Sequence, residues 1–314
     1  MYIWIWLIVV AQFINAIVAL VDKYIVTKPG LPKPVVYAFY VNLLSAGALV
    51  VLLVGEVVAP IVPYHESFSL PRLSELTVPS FWLVVVSLVS GFVVLQALIA
   101  LFKAFRQADA SDVVPMVSAL TAIFSYIISH FVFGNVFSQN FIIAFGFLVV
   151  GTALISHFRV TRRILVLALT AGFLFALHSV ILKYIFNNAN FSDGFFWTRL
   201  AGVVSALSLL LFRSTRSRIF NQTKDGSKSS GLWVIGNKTL AGIAGILILT
   251  AINVGDIALI NALNGLQFVF LLLFTAILGR RTTKHIGEEV SHKELVQKFV
   301  AIVLVAIGFF VLFI

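Results

Sequence analysis

The sequence contains no cysteine and few charged residues, and each deficit excludes a class of protein. Without cysteine, the chain has neither disulfide bonds nor thiolate metal sites. Charged residues make up only 11% of the 314 residues, whereas 61% are hydrophobic. Soluble domains are typically about one quarter charged. These proportions predict a membrane protein that crosses the bilayer several times.

The N-terminal stretch MYIWIWLIVV lacks the basic residues and the small-residue cleavage site of a removable signal peptide. We therefore expect the first apolar segment to stay in the mature chain as a membrane span. We interpret the formal net charge of +10 as basic loops facing anionic lipid. Membrane lipid is thus an expected partner, and nucleic acid is not.

Apolar segments of about 20 residues, enough for one bilayer crossing, occur ten times. They must be helices, because a chain in lipid has to satisfy its backbone groups internally and these segments lack the alternation of barrel strands. The predicted fold class is an all-α membrane protein with ten transmembrane helices. The predicted spans are residues 2–22, 35–55, 80–102, 113–133, 140–157, 164–186, 194–212, 232–252, 256–278 and 297–314. Residues 56–80 and 213–231 are predicted to lie outside the membrane.

Lys and Arg are distributed unevenly between the predicted loops. The loops after spans 1, 3, 5, 7 and 9 hold seventeen of them, whereas the opposite loops hold only Arg72. Basic loops are retained in the cytoplasm. We therefore expect these five loops inside the cell, both termini outside, and a multi-pass protein of the cell membrane.

Short similarities in a common order relate the two halves of the chain. The stretch INAIVALVDKYIV (14–26) aligns without gaps to LFALHSVILKYIF (174–186) and pairs Lys23 with Lys183. SDVVPMVSAL at the start of span 4 likewise resembles GDIALINALNGL at the start of span 9. Five spans per half is an odd number, so the second copy is expected to be inverted. We predict one integrated membrane domain of two five-helix repeats, 1–158 and 159–314, as in secondary transporters.

Three segments carry a resemblance to a known family: VDKYIV in span 1, ADASDVVPMVSALTAIFSYIISHFVFG around span 4, and GDIALINALNGLQFVFLLLFTAILG in the second half. With them, nearly the whole chain resembles the EamA-like permeases of the drug/metabolite transporter superfamily. The acidic residue that usually follows the family's fourth span is absent from FGNVFS (133–138). Family members usually have both termini in the cytoplasm, opposite to the orientation that the loop charges predict. The resemblance implies a basket of helices around a central cavity, with spans 5 and 10 at its periphery.

Polar side chains inside the predicted spans are candidates for the cavity wall, because such groups are costly in hydrocarbon and usually face the bundle interior. Arg199 is the candidate for binding an anionic group, or alternatively an interfacial anchor beside Trp197. The spacing of about one helical turn between the three amides of span 9 favours a cavity wall, although helix–helix hydrogen bonding would also explain each of them. The candidate substrate-binding residues are Asn15, Asn42, Gln96, Tyr126, His130, His178, Arg199, Asn261, Asn264 and Gln267.

Three further ionisable residues are candidates for gating or coupling: Asp22, Lys23 and Lys183. The alternative is that Asp22 and Lys23 end a helix at the membrane surface, where the lysine extends to water. Asp112 and Asp256 are expected to cap the starts of spans 4 and 9. Proton coupling through Asp22 or His178 and facilitated diffusion both stay open.

The expected function is a transporter, specifically an exporter, of small metabolites or drug-like solutes that works by alternating access. One alternative is an integral membrane enzyme acting on lipid-linked substrates, which would normally require clustered carboxylates. The sequence contains no DDxxD-like or HExxH-like cluster. A non-transporting membrane scaffold or sensor is the other alternative. We expect no enzymatic activity, no cofactor and no metal, and a monomer or homodimer with a small-molecule solute as its partner.

Overall fold

The computed structural model is mainly helical in the part of the chain that it describes, which is residues 3–27, 32–58, 70–134, 139–154, 161–225, 228–271, 273–274 and seven positions between 300 and 311. The helices are α1 (Ile3–Thr27), α2 (Pro34–Leu43), α3 (Ala48–Val58), α4 (Phe81–Phe105), α5 (Ala110–Phe133), α6 (Gln139–Leu154), α7 (Arg162–Asn188), α8 (Phe191–Ser208), α9 (Arg213–Asp225), α10 (Lys228–Val254) and α11 (Ile257–Leu263). No strand occurs in these ranges, so the predicted all-α class is confirmed.

Seven helices are long and apolar enough to cross a bilayer. They are Ile3–Thr27, Pro34–Val58, Phe81–Phe105, Ala110–Phe133, Arg162–Asn188, Phe191–Leu211 and Gly231–Val254. These seven correspond to predicted spans 1–4 and 6–8. Shorter apolar helices at Ile142–Gly151 and Leu259–Leu271 fall within predicted spans 5 and 9. The protein therefore has the helices of a multi-pass membrane protein, and the total of ten spans stays a prediction.

The helices extend beyond several predicted span ends. Helix α1 continues to Thr27, so Asp22 and Lys23 lie within it and not at its terminus. Both residues are buried, with 6% and 5% of their surfaces exposed. The interpretation of this pair as a helix end extending to water is therefore wrong, because other parts of the protein satisfy both charges.

Helix α9 occupies a stretch that the sequence predicts to be a loop. Its residues are mostly basic or polar, so hydropathy gives no reason to expect a packed element there. The side chain of Ile219 is nevertheless buried in the core formed with α2 and its neighbours. This buried side chain contributes to holding α9 against the end of the bundle.

Close backbone approaches at small residues hold the bundle together. Helix α1 packs along α10, α4 along α7 and α8, and α5 along α7. A Cβ atom added to Gly91 of α4 would lie 2.5 Å from the carbonyl oxygen of Ala201 in α8, and one added to Gly172 of α7 would lie 2.6 Å from Cβ of Leu120 in α5. Small residues allow such contacts between membrane helices.

The starts of α5 and α11 both have an aspartate at the capping position. The Asp256 carboxylate accepts a hydrogen bond from the Leu259 amide at 3.2 Å, which confirms its predicted capping role. In the first half, the capping position before α5 is occupied by Asp109, whereas Asp112 lies in the first turn of that helix. The expectation that Asp112 is the cap was therefore wrong by one helical turn.

Asp193 at the start of α8 accepts hydrogen bonds from the segment between α3 and α4, residues 70–80. Its carboxylate accepts hydrogen bonds from the Thr77 amide at 2.9 Å, the Thr77 hydroxyl at 2.6 Å and the Asn190 amide nitrogen at 2.7 Å. Asp193 is 3% exposed, whereas Thr77 and Asn190 are exposed, so each of these bonds is partly buried.

Asp193→Ala is expected to lower the free energy of unfolding by about 3 kcal/mol, because a buried carboxylate and its partners lose their hydrogen bonds. Thermal unfolding in detergent would measure the loss. Glu56 also binds this segment, through Ser74, but Glu56 is exposed. The Glu56→Ala control is therefore expected to change Tm little, and equal losses in the two variants would contradict the role of burial.

Candidate functional site

A cavity of about 490 Å³ lies between the second span, formed by α2 and α3, and helix α10, with α8 at one side. Its wall is mostly apolar, and the polar or charged side chains that it receives are those of Ser45, Arg199, Lys238 and Thr239. Ligand sites are typically concave and apolar with a few convergent polar groups. The cavity is therefore the candidate binding site.

A buried ion pair joins α1 to α10 beside this cavity. The Lys238 Nζ atom lies 2.8 Å and 3.1 Å from the two carboxylate oxygens of Asp22. Asn237 donates a hydrogen bond to the same carboxylate at 2.6 Å, and the hydroxyl of Tyr37 donates another. The ammonium of Lys238 also lies 5.0 Å from the centre of the Tyr37 ring, within the range of a cation–π interaction. Three helices therefore converge on the Asp22 carboxylate.

Arg199 is the second cation on the cavity wall, and it has no carboxylate partner among the described residues. Its guanidinium carbon lies 6.0 Å from the centre of the Phe195 ring. A guanidinium presents five donors in a planar fork that matches a carboxylate or a phosphate. The arrangement leaves this fork available for a ligand in the cavity.

The two lysines that the sequence pairs, Lys23 and Lys183, do not line this cavity. Lys23 donates to the carbonyl oxygens of Phe105 and Ala108 at 2.7 Å and 2.6 Å, at the end of α4. Lys183 donates to the carbonyl oxygen of Asn253 at 2.9 Å, at the end of α10. Each lysine thus satisfies carbonyl groups at a helix C-terminus, where a cation is also favoured by the helix dipole.

The amides of span 9 take part in a hydrogen-bonded network with α1. Gln12 of α1 donates to Asn264 at 2.6 Å, and Asn264 donates to Asn261 at 3.1 Å. Gln267 donates to the backbone oxygen of Asn15 at 2.9 Å. None of these residues lines the 490 Å³ cavity. Their geometry matches the helix–helix alternative, and a role in binding stays a prediction.

The remaining candidate residues lie at separate places. His178 of α7 has its Nδ1 atom 2.8 Å from the Ser90 hydroxyl of α4. Asn42 of α2 is buried and donates to the Ala38 carbonyl at 3.1 Å. Gln96 and His130 are exposed, and the Tyr126 ring packs against Phe145 with ring centres 5.1 Å apart. Of the ten candidate substrate-binding residues, Arg199 alone is among the residues that line the cavity.

Lys238 lies within predicted span 8, but it is not among the candidate site residues that the sequence indicates. Tyr37 and Asn237 were missed as well. The available signal was a basic residue in one apolar span and an acidic residue in another, since such charges usually pair. Nothing in the sequence indicates that these particular two would meet across 216 positions.

Comparison with known proteins establishes a fold and no activity. No protein-family model matches the chain, and no curated protein matches it. A solved crystal structure, described only as that of a protein, aligns with a TM-score of 0.65 over 99% of this chain and 95% of the other. The sequences are 15% identical, so the similarity is one of fold alone. The helical arrangement described above is thus one that an experimental structure also adopts.

Proposed function

We propose that the protein is a membrane transporter that exports a small metabolite or drug-like solute with an anionic group. It would act as an alternating-access carrier of ten spans, built from two inverted five-helix repeats, with its basic loops in the cytoplasm. The observation that carries this proposal is a difference between two helix pairs that the proposed repeat would make equivalent. Helices α4 and α8 are in contact and form the closed pair, whereas the 490 Å³ cavity separates α10 from the second span, the open pair.

The contacts of Lys23 and Lys183 support the repeat. Helices α4 and α10 would be the third spans of the two halves, and each receives one of these lysines at its C-terminal end. In each half an aspartate then begins the next helix, Asp109 before α5 and Asp256 before α11. Two halves that use the same kind of lysine contact, followed by an aspartate at the same helix-start position, favour one repeated fold.

The closed pair is α4 and α8. Their backbones touch where Gly91 lies against Ala201. In the proposed repeat, the equivalent pair is α10 with the second span, and there the 490 Å³ cavity separates the two helices. Superposing the two helix-start residues, Asp109 and Asp256, in place of the sequence match of Asp112 with Asp256, sets Gly91 opposite Lys238. A long charged side chain thus stands at the position where glycine allows contact in the other pair.

The walls of the open pair are suited to closing. On the cavity side, α10 carries Ala241, Gly242 and Gly245, and the second span carries Gly47 and Ala48. A Cβ atom added to Gly242 or Gly245 would meet nothing within 4 Å. Small residues let membrane helices approach closely. Closure of this pair together with opening of the α4–α8 pair would expose the cavity to the opposite side of the membrane.

Gly245→Leu is expected to reduce saturable solute flux into proteoliposomes by at least about tenfold, since the added side chain obstructs closure at a cost of roughly 1–3 kcal/mol. The solute would be chosen by a thermal-shift screen of carboxylate and phosphate metabolites. Gly236→Leu is the matched control: it lies on the same helix outside the cavity, with nothing within 4 Å of its Cβ position. It is expected to retain normal flux.

Because the chain contains no cysteine, the labelling of one introduced thiol can test the same closure without a measurement of flux. A single Ser45→Cys substitution places a thiol on the cavity wall. Saturating solute should change its rate of labelling by a membrane-impermeant maleimide, and the added Gly245→Leu substitution should abolish that change. Normal flux in the Gly245→Leu variant would contradict alternating access through this cavity. A chain that catalyses no saturable flux of any solute in the screen would favour the enzyme or scaffold alternatives.

A further inference from the structure

A second cavity, of about 910 Å³, lies at one end of the bundle. The first turns of α2 and α7, the end of α4 and the side of α9 surround it. We call it the basic cavity because six cationic side chains line it, which are Lys33, Lys103, Arg106, Arg162, Arg163 and Arg218. No residue of this set lines the 490 Å³ cavity, so the two sites are distinct.

The charge around the basic cavity is of one sign. None of the described residues that line it is acidic. Arg106, Arg162, Arg163 and Arg218 form no ion pair with any residue in the described ranges. Like charges converging on one concavity raise the local electrostatic potential and attract anions. These four arginines are exposed, so water and salt screen part of their repulsion, and a bound anion would reduce it further.

Membrane topology alone does not explain this arrangement. The positive-inside tendency would place Lys and Arg at one end of the bundle, but it would not require side chains from four segments to line one cavity. Two of those segments are helix N-termini. Pro34 begins α2 without an N–H, and the Thr161 hydroxyl already accepts a hydrogen bond from the Ile164 amide of α7. The amides of the first turns that stay available therefore include those of Val35, Val36 and Arg163. Backbone amides at such ends favour a phosphate group. Cationic side chains and helix ends therefore favour the same kind of ligand.

The uncharged residues of the wall further restrict the kind of ligand that the basic cavity can bind. Val35, Val36, Val166 and Leu167 line the same cavity beside the cations. Arg side chains bind phosphate in a bidentate manner, while an apolar wall accommodates hydrocarbon. We propose that the basic cavity binds a phosphate-bearing anion, with its phosphate held by Arg106, Arg162 and Arg163. Phospholipid headgroups and soluble phosphorylated solutes share this chemistry.

The test compares two doubly substituted full-length proteins that lose equal charge. Arg106→Gln/Arg163→Gln changes the basic cavity, whereas Arg213→Gln/Arg216→Gln removes two arginines near the start of α9 that do not line it. All four arginines are exposed, so the two variants differ only in whether the lost charges line the cavity. One arm titrates inorganic pyrophosphate into each protein in neutral detergent by calorimetry. The other arm measures Tm in phosphatidylcholine nanodiscs with and without phosphatidylglycerol.

The cavity variant is expected to bind pyrophosphate about tenfold more weakly than the parent protein, or to lose most of the Tm increase that phosphatidylglycerol gives the parent, because two charged contacts are lost. The α9 variant is expected to bind pyrophosphate within about twofold of the parent and to keep its Tm increase. An effect with pyrophosphate identifies a soluble ligand, and an effect with phosphatidylglycerol alone identifies a lipid headgroup. Equal losses in both variants would show general charge attraction only. A parent protein that neither binds pyrophosphate saturably nor gains Tm with phosphatidylglycerol would overturn the proposal. Unchanged Tm in the absence of anion confirms that the variants are folded.

Discussion

Lys238→Met is expected to lower the free energy of unfolding by about 3 kcal/mol or more, because it leaves the Asp22 carboxylate buried without its cation. The side chains of Lys238 and Asp22 are only 8% and 9% exposed, so water cannot readily replace the lost partner. Asn237 and Tyr37 would still donate to the carboxylate, but neither of them neutralises it. Thermal or urea unfolding in detergent would measure the change.

The double variant Asp22→Asn/Lys238→Met separates stability from function. Removing both charges is expected to restore most of the stability, because replacing a buried ion pair as a unit is often neutral or stabilising. Flux is expected to stay low, since Lys238 is part of the cavity wall and its pairing joins helices from the two proposed repeats. The informative quantity is the coupling free energy, which is the difference between the stability change of the double variant and the sum of the changes in the two single variants.

A matched control for the ion pair is Thr239→Val, which changes the next residue of α10 on the same cavity without touching a charge. Its effect on stability is expected to be below about 1 kcal/mol, as for an exposed substitution away from packed features. If Lys238→Met were as stable as the parent protein, the pair would contribute no net stabilisation. If the double variant transported normally, the pair would have no role in the transport cycle.

Arg199→Gln is expected to weaken transport of the anionic solute about 10- to 100-fold, because a hydrogen-bonded charge contact contributes roughly 1.5–3 kcal/mol. The loss should appear mainly in KM if the guanidinium binds solute equally throughout the cycle. Arg199→Lys keeps the charge but loses the bidentate geometry, so it is expected to fall between Arg199→Gln and the parent protein. Flux measurements in proteoliposomes would compare the parent protein with Arg199→Gln and Arg199→Lys.

The same substitution is not expected to destabilise the fold. Arg199 has no ion-pair partner among the described residues, so its replacement leaves no buried carboxylate without a cation. This behaviour would distinguish it from Lys238→Met, where stability and transport are lost together. Arg213→Gln on α9 is the control for general loss of positive charge. A normal KM in Arg199→Gln would rule out this residue as the anion contact while leaving the cavity itself in place.

Most of the fold could be predicted because it depends on local composition. Spans 1–4 and 6–8 coincide with long apolar helices, since apolar residues in lipid leave the backbone no alternative to internal hydrogen bonding. Helix α9 was missed because its residues are polar, and its position depends on Ile219 packing against other segments. The extension of α1 past residue 22 was missed because the partners of Asp22 and Lys23 lie far along the chain.

The candidate site was predicted less well than the fold. Helical spacing places Asn261, Asn264 and Gln267 on one face of span 9 and favours a cavity wall, whereas their hydrogen bonds connect them to α1 and none of them lines the 490 Å³ cavity. Spacing defines a face of a helix, whereas the neighbour of that face depends on how the whole bundle packs. Arg199, which the sequence singled out as the candidate for binding an anionic group, does line the cavity.

By itself, the sequence determined the helical membrane character of the chain, the concentration of Lys and Arg in alternate loops, and the matching lysines of α1 and α7. These features follow from hydropathy, charge and short-range similarity, which are local properties. Only the tertiary structure decided that Asp22 pairs with Lys238, that Arg199 faces a cavity, and that six cations share another. Each of these depends on contacts between residues far apart in the chain, and such contacts form only when the helices pack.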